Sequence, residues 1–163
     1  LPPEDIRGLK TLHDASYACG APKIAAGERT ATIYDRNMTR MLTEQAVDIF
    51  QPDLGNSGGF GQFHELAGLA AANNIAMAPH NPNGPLSVAQ GLQAMCFIRN
   101  GHIFETVGNP AEAELAAELL IDPSPVLSKD GYIDAPKGPG LGVELNLDAL
   151  EKRSFQRYYQ TTR

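Results

Sequence analysis

Residues 47–53 of the chain read VDIFQPD, a short apolar run that is closed by proline and a carboxylate. Residues 75–80 read IAMAPH and repeat the arrangement with an imidazole in the last position. Two further runs fit the pattern, one near residues 22–28 and one near 102–106. Short apolar runs that are bounded by turn residues are typical of buried strands. We therefore predict four strands in one recurring unit.

Helical patterns separate these strands. In the segment after the second strand, apolar side chains recur at intervals of three and four residues, at Phe63, Leu66, Ala67 and Ala70. Residues 3–16, before the first strand, place Ile6, Leu9 and Leu12 at roughly helical spacing and predict an amphipathic helix with these side chains on its apolar face. Strands that alternate with helices through short connections run parallel with right-handed crossovers, which leaves a doubly wound sheet or a barrel.

The four strands end on polar or ionisable residues at regular intervals. Glu28, Asp53, His80 and Glu105 occupy the ends, with spacings of 25, 27 and 25 residues. Barrel enzymes place their catalytic residues at the C-terminal ends of the strands, so this regularity favours the barrel. We predict an α/β fold in which residues 1–107 form the second half of a (β/α)8 TIM-type barrel.

The remainder of the chain does not continue the alternation of strands and helices. Residues 108–163 are rich in Gly, Pro and Asp and predict an irregular C-terminal segment, with a terminal helix from Leu147 that packs on the barrel or on a capping domain. A complete barrel takes roughly 250 residues, whereas the chain has 163 and opens on Leu1 without an initiating Met. We therefore expect the first barrel strands to lie upstream of Leu1.

The composition argues against several classes of function. The chain is 42% hydrophobic and 20% charged, as is typical of soluble globular proteins. Its net charge of −6 is not gathered in blocks, which argues against nucleic acid and membranes as partners. No membrane span or leader is found, so a cytoplasmic location is expected. Cys19 and Cys96 have no metal-ligand spacing and are expected to be reduced, partly buried thiols.

Taken singly, the four strand-end residues have ordinary explanations. A solvated carboxylate, a turn cap or a loop histidine accounts for any one of them. Together, at matching ends of consecutive strands, they are the residue types that bind a hard cation, orient an imidazole and hold a carboxylate. The set therefore predicts an active site.

Several short motifs run in order along nearly the whole chain: AAGER at 25–29, QPD at 51–53, SGG at 57–59, APHNP at 78–82 with GP at 84–85, DGY at 130–132 and PKGPGLGV at 136–143. In order and spacing these motifs resemble the enolase superfamily, in its branch of mandelate racemase-like and sugar-acid (galactonate-type) dehydratases.

The resemblance implies a role for each strand-end residue. Glu28 would be the third carboxylate ligand of a Mg²⁺ ion, and Glu105 would hydrogen-bond a carboxylate oxygen of the substrate. Asp53 would accept a hydrogen bond from His80 and set the tautomer of its ring. His80 would abstract the proton next to the substrate carboxylate, or deliver one as a general acid.

Further expectations follow from the same resemblance. Arg29 and Asn81 adjoin the four residues and are predicted to contact the substrate. The other metal carboxylates, a second acid/base residue and the N-terminal capping domain of this family would lie upstream of Leu1, so the chain alone is expected to be inactive.

The predicted function is that of a Mg²⁺-dependent lyase that dehydrates a sugar acid and forms a homo-oligomer when complete. Two alternatives stay open at this point. One is a racemase or epimerase of a 2-hydroxy acid, which needs a second base on the other side of the substrate carbon. The other is a truncated chain or pseudoenzyme that has no activity of its own.

Overall fold

The computed structural model of the protein describes residues 1–2, 5–29, 35–106, 110–121 and 130–152. Helices alternate with short strands as far as the fourth helix, and two more helices follow. In chain order the elements are α1 (Ile6–Cys19), β1 (Ala25–Ala26), α2 (Arg36–Thr43), β2 (Ile49–Phe50), α3 (Gly59–Ala72), β3 (Ala76–Met77), α4 (Pro85–Phe97), α5 (Pro110–Leu119) and α6 (Leu147–Lys152). None of the helices in these ranges is long and apolar enough to cross a membrane.

The starts of the helices follow from the local sequence. The carboxylate of Asp5 accepts a hydrogen bond from the N–H of Gly8 at 2.9 Å, which caps the first turn of α1. Asp35 caps α2 in the same way through the N–H of Asn37. Pro85 opens α4, where a residue without N–H loses no intrahelical hydrogen bond. The helices predicted between the strands are therefore present.

The strands form one parallel sheet in the order β1-β2-β3. Phe50 in the central strand is paired with Ala26 on one side and with Met77 on the other. Phe50 and Met77 are buried in a core with side chains of α1, α2 and α3, and Ala26 packs against that core. The predicted buried face of α3 is confirmed, because the four residues predicted to form it all belong to this core: Phe63, Leu66, Ala67 and Ala70.

Regular pairing covers only two residues in each strand, fewer than predicted, and proline interrupts the pairing after the C-terminal ends of β2 and β3. Pro52 and Pro79 have no N–H to donate to the ladder. Pairing resumes one residue later, where Asp53 and His80 form a parallel bridge and the N–H of His80 donates to the carbonyl of Pro52 at 3.2 Å.

The fourth predicted strand, near residues 102–106, is reduced to one bridge. Gly101 pairs in parallel with Met77, and the N–H of His102 donates to the carbonyl of Met77 at 2.9 Å. The next donor in this register would be the N–H of residue 79, which is proline. Within the described residues the pairing therefore stops at His102.

Some side chains predicted to be buried are exposed. Leu12 has the helical spacing of a buried residue but is 47% exposed. Cys19 and Cys96 are exposed free thiols, and the prediction of partial burial is wrong. Both lie in the last turn of a helix, beyond Leu9 and Ala94, the last buried residues of α1 and α4.

Hydrogen bonds connect the C-terminal segment to α4. The side-chain amide of Gln93 donates to the carbonyls of Pro136 and Leu141, at 2.7 and 3.3 Å. The predicted terminal helix is present from Leu147 as far as Lys152, and its predicted continuation lies outside the described residues. The division of the chain into a barrel part and an irregular segment stays a prediction.

Candidate active site

The ends of β2 and β3 bring Asp53 and His80 together. Their backbones form a parallel bridge, so their side chains leave the sheet on the same face. The Nδ1 atom of His80 lies 3.3 Å from Oδ2 of Asp53. The side chain of Asp53 is 2% exposed, whereas that of His80 is 26% exposed. The pair therefore combines a buried acceptor with a ring that reaches the surface.

Three N–H donors and the ring of His80 surround the carboxylate of Asp53. The N–H groups of Gly55 and Asn56 donate to Oδ1 at 2.8 and 3.2 Å. The side-chain amide of Asn83 donates to Oδ2 at 2.8 Å, the oxygen that also faces His80. An ionised carboxylate only accepts hydrogen bonds and offers about four positions for them. Beside such a carboxylate, the ring of His80 is favoured in the tautomer that carries its hydrogen on Nδ1.

His80 borders an open cleft beyond the end of β1. The cleft has a volume of about 630 Å³, and among the described residues Glu28, Arg29, Asn56 and His80 form its polar lining. The apolar part of the lining comes from the N-terminal residues Leu1 and Pro2, from α1 and α2, and from the end of β1. A cleft with apolar walls and a few convergent polar groups is typical of a small-molecule site.

Glu28 is half-buried and lies two residues after the end of β1. Its Oε2 atom accepts a hydrogen bond from the N–H of Gly27 at 3.1 Å. Carboxylate oxygens are the ligands that Mg²⁺ prefers, so the chemistry of Glu28 fits a hard cation. In the part of the chain that the structure describes, no three His, Cys, Asp or Glu side chains converge on a metal position. Glu28 therefore fits as one ligand, and the remaining ligands would have to come from elsewhere.

Asn81 is buried next to the site. The residue is 2% exposed, its amide nitrogen donates to the carbonyl of Glu105 at 3.4 Å, and its amide oxygen accepts a hydrogen bond from the hydroxyl of Ser87. These contacts tie the loop after β3 to the backbone of Glu105. The predicted contact of Asn81 with substrate stays a prediction.

The structure gathers only some of the predicted residues at the cleft. Arg29 is exposed and lines it together with Glu28 and His80. Glu105 is also exposed, but it does not belong to the described lining. Asp53 lies behind His80, in contact with the ring but buried.

Sequence reasoning misses two asparagines of the site. Asn56 and Asn83 each follow a strand-end residue by three positions, after Asp53 and His80 respectively. Asparagine is common in turns, so each one by itself indicates only a loop. The equal spacing at two neighbouring strand ends is the signal that could have found them. Asn56 lines the cleft, and Asn83 binds Asp53.

Comparison with known proteins gives the class to which the fold and the site belong. Residues 1–149 match the family described as enolase C-terminal domain-like. D-galactonate dehydratase from Pectobacterium atrosepticum is 34% identical over 134 residues, which are 80% of this chain and 34% of that protein. D-galactarolactone cycloisomerase from Agrobacterium fabrum is 31% identical over 147 residues, which are 83% of this chain and 37% of that protein.

A solved structure of a mandelate racemase/muconate lactonizing enzyme from Jannaschia sp. CCS1 matches 95% of this chain and 37% of its own, with a TM-score of 0.79 and 28% identity. The chain is thus an α/β protein with the fold of part of a (β/α)8 barrel, as predicted. It belongs to the enolase C-terminal domain-like family. It spans about a third of the length of the curated relatives it matches.

Proposed function

We propose that this chain supplies the general base and one metal ligand of a lyase that dehydrates a sugar acid. The observation that carries the proposal is the contact between His80 and the buried Asp53, beside a cleft that Glu28 also lines. Three relatives named D-galactonate dehydratase support it, at 34%, 36% and 34% identity.

His80 performs the proton transfer in this proposal. Because Nδ1 is turned to Asp53, Nε2 is the ring atom left to take the proton next to the substrate carboxylate. The electron pair of the broken C–H bond forms a C=C double bond as the β C–O bond breaks, and the imidazolium of His80 gives its proton to the departing hydroxyl, which leaves as water. The enol that results tautomerises to a 2-oxo acid. Asp53 stabilises the imidazolium that exists between these steps.

The other cleft residues would handle negative charge. Glu28 would hold a Mg²⁺ ion together with ligands from outside the described residues. Bound Mg²⁺ would supply positive charge that offsets the charge developing on the substrate carboxylate. Arg29 lines the same cleft and would place a second cation near this anion. The contact of Glu105 with a substrate carboxylate oxygen stays part of the proposal.

A racemase or epimerase of a 2-hydroxy acid is the second candidate. The solved neighbour named a mandelate racemase/muconate lactonizing enzyme favours it. In a racemase or epimerase the proton returns to the same carbon and no water is lost. The composition of the product therefore separates the two reactions.

The proposal also covers the substrate class, the oligomeric state and the location of the protein. The substrate is a small carboxylic acid, and the complete protein would be a homo-oligomer without nucleic-acid or membrane partners. Its location would be the cytoplasm, where the exposed thiols of Cys19 and Cys96 stay reduced.

The test is to follow 2-oxo acid formation by the full-length protein with Mg²⁺ and a panel of sugar acids that begins with galactonate. His80→Asn should lower turnover by ~10²–10⁴, because the general base is lost. His102→Asn is the matched control, since His102 is exposed and lies outside the cleft lining. A normal rate in His80→Asn would remove this residue from the mechanism, and an unmodified protein that converts none of the acids would support the inactive alternative.

A further inference from the structure

Asn83 is the unexpected member of the hydrogen-bond network around Asp53. It lies in the loop between β3 and α4, three residues after His80. Its amide nitrogen donates to Oδ2 of Asp53 at 2.8 Å, a shorter contact than the 3.3 Å between Nδ1 of His80 and the same oxygen. Two residues of one loop therefore bind one carboxylate oxygen of the neighbouring loop.

Resting on the proposed function, we infer that Asn83 is a positioning residue for His80. Its amide fills the fourth acceptor position of Asp53 and turns Oδ2 toward the imidazole. The ring then donates from Nδ1 and keeps Nε2 as the atom that takes the substrate proton.

The geometry of Asp53 explains why a fourth donor matters. Two N–H groups of the turn after β2, from Gly55 and Asn56, hold Oδ1 alone. With Oδ1 as a fixed end, the carboxylate can still pivot, and the two contacts on Oδ2 decide where that oxygen points. The contact with Asn83 has the ordinary length of a charge-assisted hydrogen bond, whereas the contact with His80 is long. Asn83 therefore makes the stronger of the two hydrogen bonds to Oδ2.

The loop that carries both residues is anchored independently of Asp53. Asn81 lies between His80 and Asn83 in sequence and is buried, with its amide held by Ser87 and by the carbonyl of Glu105. This anchor fixes the middle of the loop. Loss of the Asn83 side chain should therefore release Asp53 without unfolding the loop.

The decisive readout is the tautomer of His80, which a merely structural residue would not change. In the full-length protein labelled with ¹⁵N-histidine, we expect neutral His80 to carry its hydrogen on Nδ1. In Asn83→Leu, which keeps the size of the side chain but removes the donor, we expect a larger share of the form with the hydrogen on Nε2. The ring nitrogen shifts separate the two forms.

Kinetics give a second readout. Turnover of the full-length enzyme should fall on the order of 10-fold in Asn83→Leu, while KM changes by less than about threefold, because the lost interaction orients the base and does not bind the substrate. Asn83→Asp is close to isosteric and places a second carboxylate against Asp53, so its turnover should fall further. Asn73→Leu is the matched control: Asn73 caps the C-terminal end of α3 and donates to the carbonyl of Leu69, and loss of its amide should change neither readout.

The possible results separate the two proposals. An unchanged tautomer in Asn83→Leu overturns the inference, whatever happens to the rate. A raised KM with normal turnover also overturns it, because Asn83 would then bind the substrate. If the unmodified protein dehydrates no acid, the proposed function fails, and the tautomer experiment still decides the role of Asn83.

Discussion

Gly27 lies between Phe50 of the buried core and Glu28, the candidate metal ligand. Replacing Gly27 tests how packing of the core determines the shape of the cleft. Its φ angle of 129° lies in a region that side-chain-bearing residues rarely adopt. A Cβ atom at this position would lie 2.4 Å from Cε2 and 2.5 Å from Cδ2 of Phe50. Phe50 is completely buried in the core, so its ring has little space to move. Gly27→Ala must therefore displace either the Phe50 ring or the end of β1.

Two costs combine in this substitution. Overpacking of a tight core costs about 1–3 kcal/mol, and an alanine held in a sparsely populated backbone region costs about 1–3 kcal/mol. The free energy of unfolding should therefore fall by about 2–6 kcal/mol, a large part of the 5–15 kcal/mol that is ordinary for a folded domain. Because the N–H of Gly27 donates to Oε2 of Glu28, the displacement should also weaken Mg²⁺ binding.

Urea unfolding of the full-length protein, followed by circular dichroism, measures the first effect. Gly68→Ala is the matched control, since Gly68 lies in the exposed part of α3 and an added Cβ would meet no atom within 4 Å. There the same change should stabilise the protein by about 0.5–1 kcal/mol, because alanine favours a helix. If Gly27→Ala unfolds at the wild-type urea concentration with an unchanged slope, the argument from the Phe50 contact is refuted.

Three further changes test other parts of the structure. Glu28→Gln should raise the Mg²⁺ concentration for half-maximal activity by about 10- to 100-fold, because a charged ligand is lost, and an unchanged requirement in a Mg²⁺ titration would remove Glu28 from the ligand set. Phe63→Ala should lower the free energy of unfolding by about 3–5 kcal/mol, because the ring is 0% exposed, and a loss below about 1 kcal/mol in urea would contradict its place in the core. Gln93→Ala should speed limited proteolysis of the C-terminal segment, because the carbonyls of Pro136 and Leu141 lose their donor; an unchanged cleavage rate would show that Gln93 does not hold it.

The sequence predicts the elements of this fold better than their extent. Apolar periodicity locates α3 and its buried face, because a helix that covers a sheet must repeat its contacts every three or four residues. The same periodicity fails at Leu12, which has the spacing of a core residue but is exposed. Spacing records which face of a helix a side chain occupies, and burial also requires another element over that face.

Loop contacts are the part of the site that the sequence does not predict. The strand-end position of Asp53 indicates an acceptor, but its donors come from backbone N–H groups and from an asparagine 30 positions away. Turn conformation decides which N–H groups converge on a carboxylate, and the composition of a turn does not determine its conformation. Asn81 is a further case, because the hydrogen bond that its amide oxygen accepts from Ser87 is a contact within the loop region that its sequence position does not indicate.

Proline links the correct and the incorrect predictions. Pro52 and Pro79 shorten the strands, since neither can donate to the ladder. Because both prolines stand one residue before the functional side chain, the pairing resumes in register at Asp53 and His80. A slip of one residue would send these two side chains to opposite faces of the sheet. The contact between His80 and Asp53 is thus set by the register of the sheet, which a sequence pattern can indicate. The further donors to Asp53 depend on loop conformation, which a sequence pattern does not indicate.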